Sequence, residues 1–331
     1  MPKIAEIVLE PGPFDPFWLT LKQVGIDAVV GVLPGSGGWE WEKKAELPWD
    51  FGPLNDYKQQ LADCELAMPA FEDAPPMEAI RLGKPGRDEE IEHFQTFVRN
   101  LGLLGIHTLT YDWWAGLGWQ RNKFRIRERG GLTVSGFDAR AQVGAPMTRL
   151  GRVEAEDLWA NLEYFLARVL PVAEDAGVRL AMHPDDPPLP TVRGVDRIMS
   201  SPENYERLLD ISDSPANGIT LCQGNFALMT DDLPALIRNI GSSGRIYFVH
   251  FRDVSGTAEN FKETPHDAGP TDLLECLRAY RDVGFDGYLR TDHVPTLAGD
   301  TAPVIGYSQR GRLHAIGYVQ GLIHAVDAEA N

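Results

Sequence analysis

Short apolar runs alternate along this chain with longer segments whose apolar positions recur every three to four residues, the signature of strands alternating with amphipathic helices. The runs predict strands at Ile4 to Leu9, Ile26 to Leu33, Leu66 to Phe71, Ile106 to Tyr111, Val178 to Met182, Gly218 to Leu221, Arg245 to Phe251 and Gly287 to Thr291. Between them the helical period predicts helices at Asp15 to Val24, Asn55 to Cys64, Asp88 to Leu103, Glu154 to Ala176, Ser201 to Asp210, Asp231 to Ile240 and Thr271 to Val283, with a last one at Arg312 to Ala325. Near-continuous apolar character, as in Ile26 to Leu33, suits a parallel strand covered on both faces. Eight strands in strict alternation with helices, and no β-rich block or internal linker, predict a single (β/α)8 TIM-barrel domain over residues 1–331. The open doubly wound sheet loses its main support because no Gly-x-Gly-x-x-Gly follows the first strand.

The pattern fails in two places. Asp73 to Arg87 is rich in Pro and Gly and reads as a loop. From Asp112 to Arg152 no clear period persists, and a structureless stretch that long in a compact domain is usually functional or mobile. It carries Trp113, Trp114, Trp119 and Arg121, then Arg125, Arg127 and Arg129 before Gly130 and Gly131. Two readings stay open: a lid over the active site, ordered by substrate or by a neighbouring subunit of a homo-oligomer, and a solvated surface hairpin. The glycines of Pro34-Gly35-Ser36-Gly37-Gly38 lack the following Gly-Lys-Ser/Thr of a phosphate loop.

Charge narrows the partners. The 31 basic and 48 acidic residues leave a net charge of −17, which argues against nucleic acid and anionic membranes. An anionic substrate would need a local positive centre, a metal or arginines, against that field. Three scattered cysteines, Cys64, Cys222 and Cys276, do not make a disulfide framework. With no signal-like start and no long apolar run, the expectation is a cytoplasmic protein acting on a small molecule.

The chemistry sits at strand ends. Val178 to Met182 is cut short by His183-Pro184-Asp185-Asp186-Pro187-Pro188, because proline cannot donate to a strand ladder, and this leaves a histidine at the carboxyl end where barrel enzymes keep their active sites. The last four strands each place a potential metal donor at or just after their carboxyl end: His183, Cys222, His250 and Asp292, spaced by 39, 28 and 42 residues. Taken singly, each is also an ordinary core or turn residue. At four successive strand ends of a closed barrel they form a mixed N, S, O set that suits a catalytic divalent metal, with thiolate favouring Fe, Co or Zn. Arg193, Arg252 and Arg312 are candidates to bind a carboxylate bidentately, and His266 to contact substrate. Asp185 and Asp186 are candidates to shape the loop or to fix a cation nearby.

Several segments, in order over most of the chain, resemble the mannonate dehydratase family: Arg81 to Ile91, His183 to Pro188, Ser214 to Gly218, Leu221 to Gly224, His250-Phe251-Arg252 and Gly311-Arg312-Leu313, with His-Pro-Asp-Asp-Pro-Pro the most specific. The resemblance implies a metal-dependent barrel related to xylose isomerase, using Mn2+ or Fe2+, that converts D-mannonate to 2-dehydro-3-deoxy-D-gluconate. It also implies metal ligands at His183, Cys222, His250 and Asp292 and an acid/base pair at His293 and Tyr307. Where the family commonly follows its Asp-His pair with glycine and a basic residue, this chain has Val294-Pro295. A sugar isomerase or epimerase on the same barrel, and a non-catalytic binder of metal or sugar acid, are the competing expectations.

Overall fold

The computed structural model describes residues 1–9, 15–33, 46–300 and 304–329. The glycine-rich stretch at 34–38 therefore lies outside the described residues. In chain order the strands are β1 (Lys3–Ile7), β2 (Ala28–Gly31), β3 (Ala67–Glu72), β4 (Thr108–Tyr111), β5 (Lys123–Arg127), β6 (Thr133–Asp138), β7 (Arg179–Met182), β8 (Thr191–Val192), β9 (Val195–Asp196), β10 (Asn217–Cys222), β11 (Ile246–Phe251), β12 (Val254–Thr257), β13 (Asn260–Glu263) and β14 (Tyr288–Thr291). The helices are α1 (Pro16–Gln23), α2 (Phe51–Asp63), α3 (Glu78–Arg81), α4 (Arg87–Leu103), α5 (Ala155–Ala176), α6 (Pro202–Asp210), α7 (Gln223–Ala227), α8 (Leu233–Gly241), α9 (Leu273–Asp282) and α10 (Gln309–Glu329).

Eight parallel strands close into a barrel in the order β1, β2, β3, β4, β7, β10, β11, β14, with β14 returning to β1 through Lys3 opposite Tyr288. These are the eight strands expected from the apolar runs, and the fold is a (β/α)8 barrel. Local chemistry sets the helix starts. Asp15 accepts from the Phe17 N–H at 2.9 Å with Pro16 in the first turn, while Ser201 and Asp272 cap α6 and α9 in the same way. Gly177, at φ 66°, ends α5 in the left-handed conformation that costs glycine least. Ala5, Val30, Ala70 and Ala181 fill the barrel interior together with the larger Phe248. The main core lies between barrel and helices, where Phe94, Phe165 and Tyr111 pack ring against ring.

Both segments that lacked a period hold structure. One turn of helix, α3, sits inside the expected loop at 73–87. The 112–152 stretch forms the β5–β6 hairpin around Gly130-Gly131, and the hairpin continues as a four-stranded antiparallel sheet in the order β12, β13, β6, β5. Its partners β12 and β13 follow barrel strand β11, so two excursions from the carboxyl ends of β4 and β11 join there. The sheet has its own small core of Phe137, Val254 and Phe261. Among the described residues no helix is long and apolar enough to cross a membrane.

Candidate metal centre and active site

A cavity of about 250 Å³ opens at the carboxyl end of the barrel, lined by Glu72, His183, His250, Arg290, Asp292, His293 and Tyr307 with Trp114, Trp119 and Asp186. Barrel closure does what the spacing requires: the donor atoms of His183, Cys222 and His250, from three adjacent strand ends, all lie within 4.8 Å of one another and are buried. Asp292 joins them from β14, with Oδ2 3.8 Å from His250 Nδ1.

The proton positions around the two imidazoles test whether this set suits a cation. His183 Nδ1 lies 2.8 Å from the Pro184 carbonyl, an atom that can only accept, so the proton sits on Nδ1 and Nε2 carries the lone pair. His250 Nε2 lies 3.1 Å from a Glu72 carboxylate oxygen, which likewise places a proton on Nε2, so that in the neutral ring the lone pair is on Nδ1. With both rings neutral, the two lone-pair nitrogens face each other at 3.0 Å with no hydrogen to share. Two such acceptors beside a cysteine sulfur repel one another unless a positive ion takes them up. Burial lowers the pKa of His183, which keeps it in the neutral form a metal needs. The residues therefore fit a divalent metal.

His293 and Tyr307 border the same cavity, their rings edge to face at 5.7 Å. The Tyr307 hydroxyl donates to Asp292 Oδ1 at 2.9 Å. His293 has φ 41°, a left-handed backbone uncommon outside glycine, and its Nδ1 approaches Glu263 Oε1 at 3.0 Å and Arg121 Nη2 at 3.1 Å. A ring nitrogen can satisfy only one of these. Arg121 already donates to Asp186 and Glu263, so a proton on Nδ1 shared with Glu263 wastes no donor and leaves the Nε2 lone pair free. Val294-Pro295, where the chain departs from the family pattern, clamp the turn that carries Tyr307. The Val294 N–H donates to the Gly306 carbonyl at 2.8 Å and the Ser308 hydroxyl to the Pro295 carbonyl at 2.7 Å. Gly311 packs so close beneath that an added Cβ would lie 2.1 Å from the Pro295 carbonyl oxygen.

The other sequence candidates lie elsewhere. Arg193 is on the β8–β9 turn and donates through Nε to the Pro146 carbonyl, outside the cavity lining. Arg312 is spent on Glu6 and the Ile7 carbonyl, and Arg252 on Asp186, Glu263, Asp292 and Asn225, so neither offers a free guanidinium fork. His266 is buried, its Nε2 2.7 Å from the Phe251 carbonyl, and burial depresses its pKa to about 4. It does not line the cavity. Asp186 anchors a buried cluster with Arg121, Arg252 and Glu263, and Asp185 pairs with Arg197.

Sequence reasoning missed three residues and named a fourth, Arg121, only as part of the 112–152 stretch. Glu72 and Arg290 line the cavity and pair bidentately at 2.7 and 2.8 Å, while Arg121 and Glu263 reach His293 from the accessory sheet and its approach. Glu72 follows directly on the expected strand Leu66 to Phe71 and Arg290 lies inside Gly287 to Thr291; a charged residue in or at the end of an apolar run destined for a covered sheet is itself a signal. Of the three tryptophans, Trp114 and Trp119 line the cavity, Trp114 edge-on to His183 at 5.4 Å and Trp119 beside His293 at 5.3 Å. Trp113 is core and donates to the Leu158 carbonyl.

Comparison with known proteins gives a consistent answer. The family model described as D-mannonate dehydratase (UxuA) matches residues 12–152 and 141–331. The mannonate dehydratase of Thermotoga maritima is 32% identical, with 93% of this chain and 94% of that protein covered, and mannonate dehydratase 2 of Halalkalibacterium halodurans is 32% identical over 96% and 98%. A crystal structure of mannonate dehydratase from Streptococcus suis serotype 2 superposes with a TM-score of 0.86 at 31% identity, covering 99% of this chain and 94% of that one. D-Psicose 3-epimerase from Clostridium cellulolyticum H10, at 12% identity and a TM-score of 0.62 with 98% and 99% covered, shares the fold alone. With matches of this breadth, the chain belongs to the mannonate dehydratase family.

Proposed function

We propose that this protein is a metal-dependent hydro-lyase that converts D-mannonate to 2-dehydro-3-deoxy-D-gluconate and water. The observation that carries the reading is the buried cluster of His183, Cys222 and His250, with Asp292 3.8 Å from His250, beside a cavity that His293 and Tyr307 also border. A divalent cation held by the four ligands, Mn2+ or Fe2+ by family and Co2+ or Zn2+ by ligand chemistry, supplies Lewis-acid stabilisation of the charge that develops on the substrate carboxylate. This meets the need for a positive centre in a chain of net charge −17, since the one guanidinium lining the cavity among the described residues, Arg290, is already engaged by Glu72 and Asp292.

The protein groups move the protons. His293, with its Nδ1 proton held toward Glu263, takes the C2 proton on Nε2. Tyr307, which holds a hydroxyl proton, donates it toward the departing C3 oxygen. The C2–H and C3–O bonds break, a C2=C3 bond forms and water leaves. The resulting enol becomes the ketone as the proton of its C2 oxygen is lost and C3 gains one.

A panel of aldonates incubated with metal-loaded protein tests the substrate: 2-keto acid is expected from D-mannonate, and its formation only from other aldonates would reassign the substrate. Elemental analysis tests the centre. Wild-type protein is expected to hold a divalent metal, and Cys222→Ser, His183→Ala and His250→Ala to hold less while staying folded, because an alcohol stays protonated where a thiol ionises on coordination. Equal metal content in all four proteins would sink the site. The 112–152 segment, which brings Trp114 and Trp119 to the cavity, is proposed to close on substrate. Tryptophan fluorescence and proteolysis between Lys123 and Arg152 should change when a sugar acid is added; no change at saturation would make it a fixed wall.

A further inference from the structure

Glu72 is the last residue of β3, and in the ring of eight strands β3 stands opposite β11. Its carboxylate reaches across the barrel mouth to His250 Nε2 at 3.1 Å and takes two hydrogen bonds from Arg290, from Nε at 2.7 Å and from Nη2 at 2.8 Å. Arg290 in turn donates through Nη1 to Asp292 Oδ1 at 2.7 Å. One carboxylate thus acts on two of the four donors, from a strand that contributes no donor itself.

We propose that Glu72 is a positioning residue for the metal centre: it holds the His250 proton on Nε2, so that Nδ1 presents its lone pair, and through Arg290 it turns Asp292 toward the same point. This rests on the metal reading above. The alternative His250 tautomer would put a hydrogen on Nδ1, where it would bond to the His183 lone pair across 3.0 Å and deny the cation both nitrogens. It would also leave a lone pair on Nε2 against the Glu72 carboxylate, two acceptors 3.1 Å apart, which is why the carboxylate selects the productive tautomer. A carboxylate behind a ligating histidine typically accounts for 10- to 100-fold in metal affinity. In Glu72→Leu neither His250 nor Arg290 has that acceptor, whereas in Glu72→Gln the amide oxygen can still face both at the position of Oε2.

The test is Co2+ binding to wild-type, Glu72→Gln and Glu72→Leu proteins, by competition with a chromophoric chelator, with the cobalt absorption spectrum recorded for each. Glu72→Leu is expected to weaken Co2+ binding by about 10- to 100-fold and to change the spectrum, and Glu72→Gln to recover part of the loss. A wild-type dissociation constant and spectrum in Glu72→Leu would overturn the role of Glu72, while failure of the wild type to bind Co2+ would overturn the metal reading itself. Should Glu72→Leu fail to fold, 15N spectra of histidine-labelled, metal-free wild-type protein decide: an Nε2–H tautomer at His250 is expected, and an Nδ1–H tautomer overturns the proposal.

Discussion

His293→Asn and Tyr307→Phe should each keep the fold and the bound metal yet lose turnover of D-mannonate by at least about 100-fold, since removing a general acid or base costs roughly 100- to 10,000-fold. Neither side chain is a proposed ligand, and both border the cavity with their polar atoms near Asp292. Tyr307→Phe removes one hydrogen bond to Asp292 Oδ1, but Arg290 still donates to that oxygen, so the ligand stays in place. In His293→Asn a shorter amide leaves Glu263 to Arg121 and Arg252, which already neutralise it. The measurement is kcat against metal content for each variant. Near wild-type rates in both would move the proton chemistry to other residues of the rim.

The second large effect concerns stability. Asp186→Leu should destabilise the fold by about 3–5 kcal/mol, the usual cost of removing one member of a buried ion pair and stranding its partner. Arg121 and Arg252 are almost wholly inaccessible, and both donate to Asp186, at 2.5 and 3.0 Å. Burial by itself would raise the Asp186 and Glu263 pKa values, but the two guanidinium groups outweigh it and hold both carboxyls below the ordinary range. A folded pKa depressed below the unfolded one gives stability that is present at neutral pH. It starts to fade as pH falls below unfolded values of roughly 4 and is gone once the pH passes the folded ones. Denaturant midpoints of wild type and Asp186→Leu, at pH 7 and in acid, measure both effects. A loss below about 1 kcal/mol at pH 7 would mean that the arginines find other partners.

How much of this was legible in the sequence follows from which contacts are local. The barrel strands were legible because each is a covered apolar run, and the proposed metal donors because each sits where such a run stops, as His183 does before Pro184. The Asp15-Pro16 helix start was legible because a cap and its N–H are neighbours. The accessory sheet was not, because β6 pairs with β13 across more than a hundred residues, although Phe124 and Ile126 alternate with arginines before a Gly-Gly turn. The contacts of Glu263 and Arg121 with His293 were hidden for the same reason, since only that sheet and its approach bring them there. Arg252 and Arg312 were candidates for binding a substrate carboxylate because a sequence shows a guanidinium but not the carboxylates that already occupy it.

The central claim is loss of water from a 2,3-dihydroxy acid, and the direct measurement is NMR of D-mannonate incubated in D2O with metal-loaded protein. The account predicts a 2-dehydro-3-deoxy product carrying deuterium at C3, where the enol collects its proton from solvent. Recovery of an aldonate with its C3 hydroxyl intact and deuterium at C2 would show epimerase chemistry, and unchanged D-mannonate a binding protein; either result would contradict the account.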